Sequence, residues 1–395
     1  MASSTAADPA KDVSSGDDAV KAGYWFCTSK FPAEDINADL FTHLYAGFAK
    51  VKCPIQPSEN IDAVIQFPDN YRGIFENFPT IVKKRNPGVK ALLSIGGGGP
   101  YVIPPDRQDD ISKTIAAVAR DEQHLREPFI KRSIELARRY NYDGLDLCWL
   151  YPSDAQQEIQ LVSLLKAWRV AVDDDATNQI NKPKLLLTAT VFHKLCPPAG
   201  TGGTNCNYPF ADISASLDWM NVLAVDFYDP FKSTSLTGPV HAWLNPKDKT
   251  KCGKAGIENW IAKGVASKKL VLGLPFYGYQ WTLAKPSDHG FFAPASSALS
   301  TEEKEFHYLD FKSIQSDYVK TNPNNLKYSD DYVAAYWYYQ SAWIGFDEEQ
   351  CITTKVKEAK EKNLRGYFAW HVGADDDKFT LSTAAFEAWP PQYEE

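Results

Sequence analysis

The sequence lacks the features that mark membrane and nucleic-acid-binding proteins. No apolar run in its 395 residues approaches the about 18 residues that a membrane-spanning helix needs. Basic residues are not in excess, because 42 Lys and Arg stand against 50 Asp and Glu, giving a net charge of -8. Nucleic acids and anionic membranes repel a negative chain. We expect neither as a partner, and we expect the chain to be a monomer.

The N-terminal segment lacks the apolar core of a secretory signal peptide, and its residues are mainly Ser, Ala and Asp. We predict that residues 1–20 form a disordered tail. The sequence also contains no N-x-Ser/Thr glycosylation sequon. As written, the chain is expected to be cytoplasmic. Secretion or vacuolar targeting is the alternative if a signal has been removed.

Cysteine is present in an odd number, so at least one of the seven thiols has no partner. Cys196 and Cys206 bracket a loop rich in Gly, Pro and Thr, and they would pair in an oxidising compartment. Reduced, unpaired thiols in a cytosolic protein are an equally good interpretation.

The sequence has a glycine run at 96–99, but the lysine of a phosphate-binding loop is missing. No Gly-Lys-Ser/Thr follows the run, so a nucleotide site is not favoured. The run ends a nearly all-apolar segment at 89–95, and a glycine-rich turn there would let a ligand approach the backbone. We predict no cofactor and no metal.

Apolar runs alternate with amphipathic segments along most of the chain. Helical spacing is seen at 73–84, 125–139, 154–172 and 381–389. The alternation predicts an α/β fold, a (β/α)8 TIM barrel. The predicted strands are 22–26, 41–48, 89–95, the central stretch 144–150, 185–191, 217–227, 270–274 and 366–370.

The alternation is interrupted once, between strand seven and a helix that starts near Cys351. This segment is rich in Tyr, Asp and Ser and is too long for a loop without structure. We predict an inserted α+β subdomain at 281–341, between strand seven and helix seven. The barrel then comprises 21–280 and 342–395.

The stretch 141–152 reads N-Y-D-G-L-D-L-C-W-L-Y-P. Its alternation places Asp146 and Cys148 on one face of a strand and Leu145, Leu147 and Trp149 on the other. One face meets an outer helix, so the other points into the centre of the barrel. A buried aspartate there is costly unless it is hydrogen-bonded or used.

This stretch resembles the strand-four signature of family 18 glycoside hydrolases, D-G-x-D-x-D-x-E. Asp143, Gly144 and Asp146 match it, whereas Cys148 and Leu150 stand at the places of the last aspartate and of the glutamate proton donor. The chain is similar to plant class V chitinases from 21 to 389, which carry an insertion at the place predicted above. Further matching motifs are G-Y-W-F at Gly23, L-F-T-H-L at Leu40, L-L-S-I-G-G-G at Leu92, S-L-D-W at Ser216, D-F-Y at Asp226, G-L-P-F-Y-G-Y at Gly273, W-I-G-F-D at Trp343 and G-Y-F-A-W-H-V-G-A-D-D at Gly366.

The resemblance implies a substrate-assisted hydrolysis whose parts are altered here. In the family, a glutamate protonates the glycosidic oxygen, an aspartate orients the substrate's acetamido group, and a strand-six tyrosine holds the acetamido oxygen. Leu150, Cys148 and Val225 occupy these three places. General acid catalysis alone contributes about 10²–10⁴-fold. We therefore predict no catalytic residue as a chitinase, and negligible chitin hydrolysis.

The same resemblance nominates residues for ligand binding. Trp370 stands where the family stacks a sugar ring, and Asp226 is placed at the end of a barrel strand, where barrel sites lie. Asp146 is a candidate for hydrogen bonding in the pocket, although we favour closure of the barrel interior for it and for Asp143. The remaining nominated residues, which would line the same mouth, are Tyr24, Phe48, Tyr228 and Trp281.

Several functional hypotheses remain open. The first is a lectin-like pseudoenzyme that binds a carbohydrate or another small ligand in the barrel cleft. The second is an enzyme of plant specialised metabolism that reuses the pocket for non-hydrolytic chemistry. Weaker alternatives are glycosidase activity with Asp226 as the acid, an inhibitor of other enzymes, and a nucleophilic Cys148 activated by His193, for which a packed core cysteine is favoured.

Overall fold

A closed ring of eight parallel strands forms the centre of the molecule. In the computed structural model of the chain, the described residues are 19–52, 64–97, 105–152, 154–179, 182–193, 209–230, 235–295 and 308–390. The ring runs in the order β1, β14, β8, β7, β6, β5, β4 and β2, and β1 also pairs with β2. The ring strands are β1 (Val20–Phe26), β2 (His43–Val51), β4 (Lys90–Gly97), β5 (Gly144–Trp149), β6 (Leu186–Phe192), β7 (Trp219–Leu223), β8 (Leu270–Pro275) and β14 (Gly366–Trp370).

Helices surround this ring and cover its outer face. Leu145, Leu147 and Trp149 of β5 point outward into the helix layer, where they share one large apolar core with Trp168. The described helices are α1 (Arg72–Arg85), α2 (Pro105–Arg120), α3 (Arg126–Arg139), α4 (Ala155–Asn178), α5 (Phe210–Ser216), α6 (Gly253–Ala262), α7 (Phe311–Ser313), which continues as a π-helix over Ile314–Val319, α8 (Glu349–Glu361) and α9 (Thr380–Ala388). The predicted (β/α)8 TIM barrel is confirmed.

A second, antiparallel sheet follows β8. Its order is β10, β9, β13, β12 and β11, and the short strand β3 (Ile65–Gln66) pairs separately with β2. This insertion sheet extends beyond the predicted bounds 281–341 on both sides. It begins at Tyr277, directly after β8, and it ends at Phe346. Its strands are β9 (Tyr277–Thr282), β10 (Tyr308–Asp310), β11 (Leu326–Ser329), β12 (Ala334–Tyr339) and β13 (Ala342–Phe346).

The structure also bears on the predicted start of the barrel, on the cysteines and on membrane-spanning helices. Val20 is fully buried as the first residue of β1, so the barrel starts one residue before the predicted 21. Cys196 and Cys206 lie outside the described residues, as does nearly all of the predicted tail. The cysteines within those residues, Cys27, Cys148, Cys252 and Cys351, are buried and free of disulfides. In the same part of the chain, no helix is long and apolar enough to cross a bilayer.

Asp143 has a structural position at the N-terminal edge of the barrel. Its Oδ2 accepts a hydrogen bond from the Ala91 backbone N–H at 2.8 Å and lies 2.7 Å from Lys83 Nζ. The carboxylate therefore joins the start of β5 to β4 and to α1. This position is at the end of the barrel opposite to the ends of the parallel strands where barrel sites form.

Gly144 permits close contact between two barrel strands, which generates a stability prediction. A Cβ at Gly144 would lie 2.6 Å from the Cβ and 2.8 Å from the backbone oxygen of Leu186, its register partner on β6. Gly144→Ala should therefore lower the free energy of unfolding by about 1–3 kcal/mol through overpacking. Chemical denaturation measures the change.

The matched control for this prediction is Gly73→Ala in α1. A Cβ at Gly73 meets no atom within 4 Å, so the same substitution should leave the stability unchanged or raise it by up to about 1 kcal/mol. Equal effects of the two substitutions would contradict the steric explanation.

Candidate functional site

The inside of the barrel and the facing side of the insertion sheet form one buried apolar cluster, which we call the cleft cluster. It runs through the barrel interior and reaches the C-terminal ends of the strands, where active and binding sites of such barrels are found. The sequence-nominated residues that the structure brings together in it are Tyr24, Phe48, Cys148, Val225, Trp281 and Trp370, and Leu150 packs against it.

Tyr24 is the central ring of the cleft cluster. It stacks on Tyr45, with centroids 4.3 Å apart and planes 5° from parallel. Trp370 meets it edge-on at 4.9 Å, and Phe48 lies at 6.2 Å. Trp370 is 6% exposed, so the indole at the end of β14 is accessible only at its margin. These rings form an aromatic floor below the mouth of the barrel.

The glycine turn after β4 is filled by the protein itself. Gly97 has φ of +80°, and a Cβ on it would lie 2.4 Å from the Phe48 ring. The turn was predicted to admit a ligand to the backbone, and at Gly97 it admits this aromatic ring. Gly98 and Gly99 lie outside the described residues.

A hydrogen-bond network around Asp146 lies beneath the aromatic floor. The Asp146 carboxylate accepts bonds from Ser94 Oγ at 2.6 Å, from Thr188 Oγ1 at 2.7 Å and from the Tyr24 hydroxyl at 3.0 Å. Tyr24 Oη in turn accepts from Asn221 Nδ2 at 2.8 Å. Both carboxylate oxygens are thus bound within the protein, which agrees with closure of the barrel interior.

Burial raises the pKa of Asp146 to about 6, and the hydrogen bonds from Ser94, Thr188 and Tyr24 oppose this rise. The carboxyl group has no exposed surface. Desolvation therefore outweighs three hydroxyl donors, and the charged form is disfavoured at this depth.

The three residues expected from the sequence resemblance at catalytic positions, Cys148, Leu150 and Val225, carry no charged side chain. Cys148 is fully buried, and burial, followed by the nearby Asp146, raises the pKa of its thiol well above the usual range. A neutral thiol is a poor nucleophile. Val225 is 3% exposed in the cleft cluster, and the half-buried Leu150 follows the end of β5. The suggested activator, His193, packs against the Phe192 and Phe227 rings.

Asp226 lies at the top of the barrel and keeps some exposure, with 20% of its side chain accessible. Its Oδ1 accepts a hydrogen bond from the Tyr277 hydroxyl at 2.8 Å. Its backbone N–H donates to His241 Nδ1 at 3.3 Å. Asp226 is therefore the nominated carboxylate that can still reach a ligand.

His241 is a neutral support for Asp226. Its Nδ1 accepts the hydrogen bond from the Asp226 N–H and therefore carries no proton. The proton is on Nε2, which donates to the Tyr277 carbonyl at 3.1 Å. Burial, and then the charge of Lys355, hold the pKa of His241 well below its ordinary value. Lys355 Nζ also donates to the His241 carbonyl at 2.6 Å and pairs with the buried Asp347. The imidazole is thus fixed in one tautomer between β9 and Asp226.

Two nominated aromatic residues are placed differently from the aromatic floor. Tyr228 Oη accepts a bond from Asn245 Nδ2 at 3.0 Å, and its ring meets Phe292 edge-on at 5.5 Å, outside the cleft cluster. Trp281 is in β9, is 2% exposed and packs on Trp343 at 5.3 Å. Trp281 therefore stabilises the insertion sheet by its buried contact with Trp343.

Sequence reasoning missed an aromatic rim, which barrel strand β6 and the inserted segment supply together. We define this rim as the half-buried rings of Phe192, Phe291, Tyr336 and Tyr338, which pack against the cleft cluster. Tyr336 stacks on Trp343 at 5.3 Å and Tyr338 on His289 at 3.6 Å. The signal was the strand 334–339, A-A-Y-W-Y-Y, whose alternation places the two tyrosines on one face.

Tyr151, next to Leu150, was also missed. Burial raises the pKa of its phenol, and the nearby Asp226 and Cys148 raise it further. Its ring lies 4.8 Å from Phe192. Tyr151 therefore joins the Asp226 side of the cleft to the aromatic rim. Over the described ranges, no three His, Cys, Asp or Glu side chains are grouped to hold a metal.

Comparison with known proteins connects this geometry to one family. The profile of glycosyl hydrolases family 18 matches residues 20–375. A class V chitinase of Arabidopsis thaliana is 38% identical over 370 residues, which cover 94% of this chain and 89% of that protein.

Two solved structures of chitinase-like proteins are also similar to this chain. A mutant class V chitinase from Nicotiana tobaccum in complex with NAG4 has a TM-score of 0.81 and 35% identity, covering 94% of this chain and 99% of that chain. The chitinase-like agglutinin RobpsCRA from Robinia pseudoacacia has a TM-score of 0.80 and 35% identity, covering 94% and 100%.

The raised pKa of Asp146 predicts a pH-dependent stability. The folded-state pKa of about 6 exceeds the ordinary value of 3.8, so the folded state binds more protons between these values. The contribution of Asp146 to stability is therefore largest below pH 4 and is lost as the pH rises through 6. Asp146→Asn removes this dependence, so the variant should lose more stability relative to the native chain at pH 4 than at pH 7.

Urea denaturation of both proteins at several pH values measures this difference. The other buried acids of the described residues, Glu158, Asp229, Asp347 and Asp375, are present in both proteins and cancel in the comparison. A stability difference that stays constant from pH 4 to pH 7 would show that Asp146 titrates normally.

Proposed function

We propose, from the premise that this chain belongs to glycosyl hydrolases family 18, that it binds an oligosaccharide of the N-acetylglucosamine type in the barrel cleft without hydrolysing it. The observation that carries the proposal is the pairing of an intact aromatic cleft with uncharged side chains at Cys148, Leu150 and Val225. The aromatic residues expected of a sugar-binding cleft lie together, and the side chains at the three positions that the resemblance assigns to the chemistry carry no charge.

The remaining carboxylates are poorly arranged to replace the lost acid. Asp146 is enclosed, and both of its oxygens accept hydrogen bonds from the protein. Asp226 is more accessible, and its Oδ1 already accepts a hydrogen bond from the Tyr277 hydroxyl. Leu150 and Cys148 supply neither a proton at the glycosidic oxygen nor a charge that stabilises the acetamido group. These contacts support binding without turnover.

Binding is supported by the aromatic surfaces of the cleft. The flat face of an aromatic ring complements the C–H face of a pyranose, and a few polar groups then fix its orientation. Trp370 contributes from the floor, and Tyr336 and Tyr338 contribute from the rim. Asp226 is the accessible acceptor for sugar hydroxyls. One relative of the same architecture is named as an agglutinin, and another is in complex with NAG4.

A second candidate function is non-hydrolytic chemistry on a small molecule of plant specialised metabolism. It is favoured by the apolar character of Cys148, Leu150 and Val225, which would suit an apolar substrate. Thermal-shift screening of chitooligosaccharides against small plant metabolites separates the two, because only a ligand that binds the folded state raises its stability. Stabilisation by a metabolite alone would favour the second candidate.

The first functional prediction concerns Tyr338. Calorimetry with chitotetraose should detect binding to the native chain, and Tyr338→Ala should weaken it about two- to tenfold, the scale of about 0.5–1.5 kcal/mol for one aromatic contact. Tyr339→Ala is the matched control, since Tyr339 is the next residue on the opposite face of β12 and is 44% exposed. Absence of heat at millimolar ligand, or equal losses in both variants, would contradict the proposal.

The second functional prediction concerns hydrolysis. The native chain should release no chromophore from aryl chitooligosides. The triple variant Cys148→Asp, Leu150→Glu and Val225→Tyr restores the family's groups at the three positions, and it should gain measurable release if it folds.

A matched triple variant with Leu150→Gln has the same shape without the acid and should remain inactive. Circular dichroism checks the fold of both triple variants. Chromophore release by the native chain that is lost in Asp226→Asn would overturn the proposal and identify Asp226 as the acid. This outcome does not depend on the behaviour of the triple variants.

A further inference from the structure

A second cavity opens at the other end of the barrel, which we call the basal pocket. Its volume is about 600 Å³. It is lined by residues at or just before the N-terminal ends of several barrel strands, including His43, Leu186, Trp219 and Arg365. The proposed sugar cleft is at the C-terminal ends of these strands. The basal pocket is therefore separate from it.

The lining of the basal pocket is strongly basic. Among the described residues of the lining Asp143 is the single acid, in a chain whose overall charge is -8. Positive charge is thus concentrated at a concave surface of an acidic protein, which attracts anions and raises their local concentration. The basic residues of the lining are Lys83, Lys90, Arg138, Lys182, Lys184 and Arg365.

The basic side chains are only partly neutralised. Lys83 and Lys90 share Asp143, at 2.7 and 3.9 Å. Arg138 and Lys184 each pair with an aspartate of α4, at 2.5 and 2.6 Å. Among the residues that the structure describes, no carboxylate lies within ion-pair distance of Lys182 or Arg365. Two cations of the lining are therefore available to a ligand.

The position of Arg365 is fixed by its backbone and by the ring of Trp219. Its backbone N–H donates to the Leu270 carbonyl at 2.9 Å, and its carbonyl accepts from Val20 at 2.9 Å. Its guanidinium lies 5.2 Å from the centroid of the Trp219 ring. Its Nε is buried and has no hydrogen-bond partner in the described part of the chain. The residue as a whole is partly exposed in the lining of the basal pocket.

His43 lies beside Trp219 in the lining of the basal pocket. Its ring meets the indole edge-on at 5.0 Å, and its Nδ1 lies 2.8 Å from Thr42 Oγ1. Burial, then the charges of Arg365 and Lys90, lower the pKa of His43 to about 3. The imidazole thus stays neutral, and the positive charge of the pocket comes from the lysines and arginines.

We propose that the basal pocket binds a small anion that carries two or more phosphate groups. Arg365 offers a planar fork that matches phosphate oxygens, and the lysines supply point charges around it. The volume of the cavity, and the origin of Lys90 and Lys182 in different segments of the chain, favour several phosphates over one. Binding there is independent of the sugar cleft, so this inference does not rest on the proposed function.

The test uses the full chain and tripolyphosphate, with ionic strength held constant by sodium chloride. Calorimetry should detect binding, and the melting temperature should rise with tripolyphosphate concentration. Arg365→Gln and Lys182→Gln should each weaken the affinity about tenfold or more, the scale of a hydrogen bond between charged groups. Arg365→Lys, which keeps the charge but loses the fork, should give a smaller loss.

Lys320→Gln is the matched control, because Lys320 is an exposed lysine of the inserted segment, outside the basal pocket. Its affinity for tripolyphosphate should equal that of the native chain. Lys182 is exposed as well, so its substitution tests the proposal even if Arg365→Gln fails to fold.

Two further arms identify the source of the phosphate groups. Inositol hexakisphosphate represents a free polyphosphate, and vesicles containing phosphatidylinositol bisphosphate represent a lipid headgroup. Binding of either one with the same loss in Lys182→Gln supports the pocket and names its source. No heat and no melting shift at millimolar tripolyphosphate, or equal losses in Lys182→Gln and Lys320→Gln, would overturn the proposal.

Discussion

The buried carboxylate of Asp146 is the constraint around which the barrel interior is arranged. Ser94, Asp146 and Thr188 are register partners on β4, β5 and β6, so their side chains meet at one level of the barrel. Tyr24 reaches the same carboxylate from β1 and also accepts a bond from Asn221 on β7. A carboxylate without these donors would be very costly at this depth. Five strands are thus joined through one polar centre inside an apolar core.

This polar centre also positions the cleft above it. The hydroxyl of Tyr24 is engaged below, so its ring is held flat against Tyr45 and supports Trp370 from the side. Phe48 closes the floor against the glycine turn after β4. The aromatic surface of the cleft therefore remains ordered although Cys148, Leu150 and Val225 are apolar. A family 18 barrel can in this way keep an ordered aromatic surface with apolar side chains at these three positions, which is the physical basis of the proposed binding role.

The two ends of the barrel differ in chemistry. The C-terminal end presents aromatic rings and one accessible carboxylate, Asp226, held by Tyr277 and His241. The N-terminal end presents lysines and arginines around Asp143, the one acid among the lining residues that the structure describes. A neutral sugar and a polyphosphate would be recognised by such surfaces for different reasons, stacking in one case and charge pairing in the other. The proposed ligands of the two ends therefore do not compete.

The sequence by itself determined the family, the barrel and the positions at which Cys148, Leu150 and Val225 occur. Strand alternation and ordered motifs are local properties, so they can be read without coordinates. It also indicated that Asp146 faces inward, because strand periodicity fixes the side of each residue. The insertion was predicted from its length, although its sheet begins earlier, at Tyr277, where it continues directly from β8.

Only the tertiary structure decided which side chains share a surface. It separated Tyr228 from the cleft cluster, buried Trp281 behind Trp343 and placed Tyr336 and Tyr338 at the rim. It also assembled the basal pocket from residues as distant along the chain as His43 and Arg365. Such groupings depend on strand register and on packing between distant segments. The alternation of 334–339 shows that Tyr336 and Tyr338 share a face, but which distant segments pack against that face is not encoded in a local pattern.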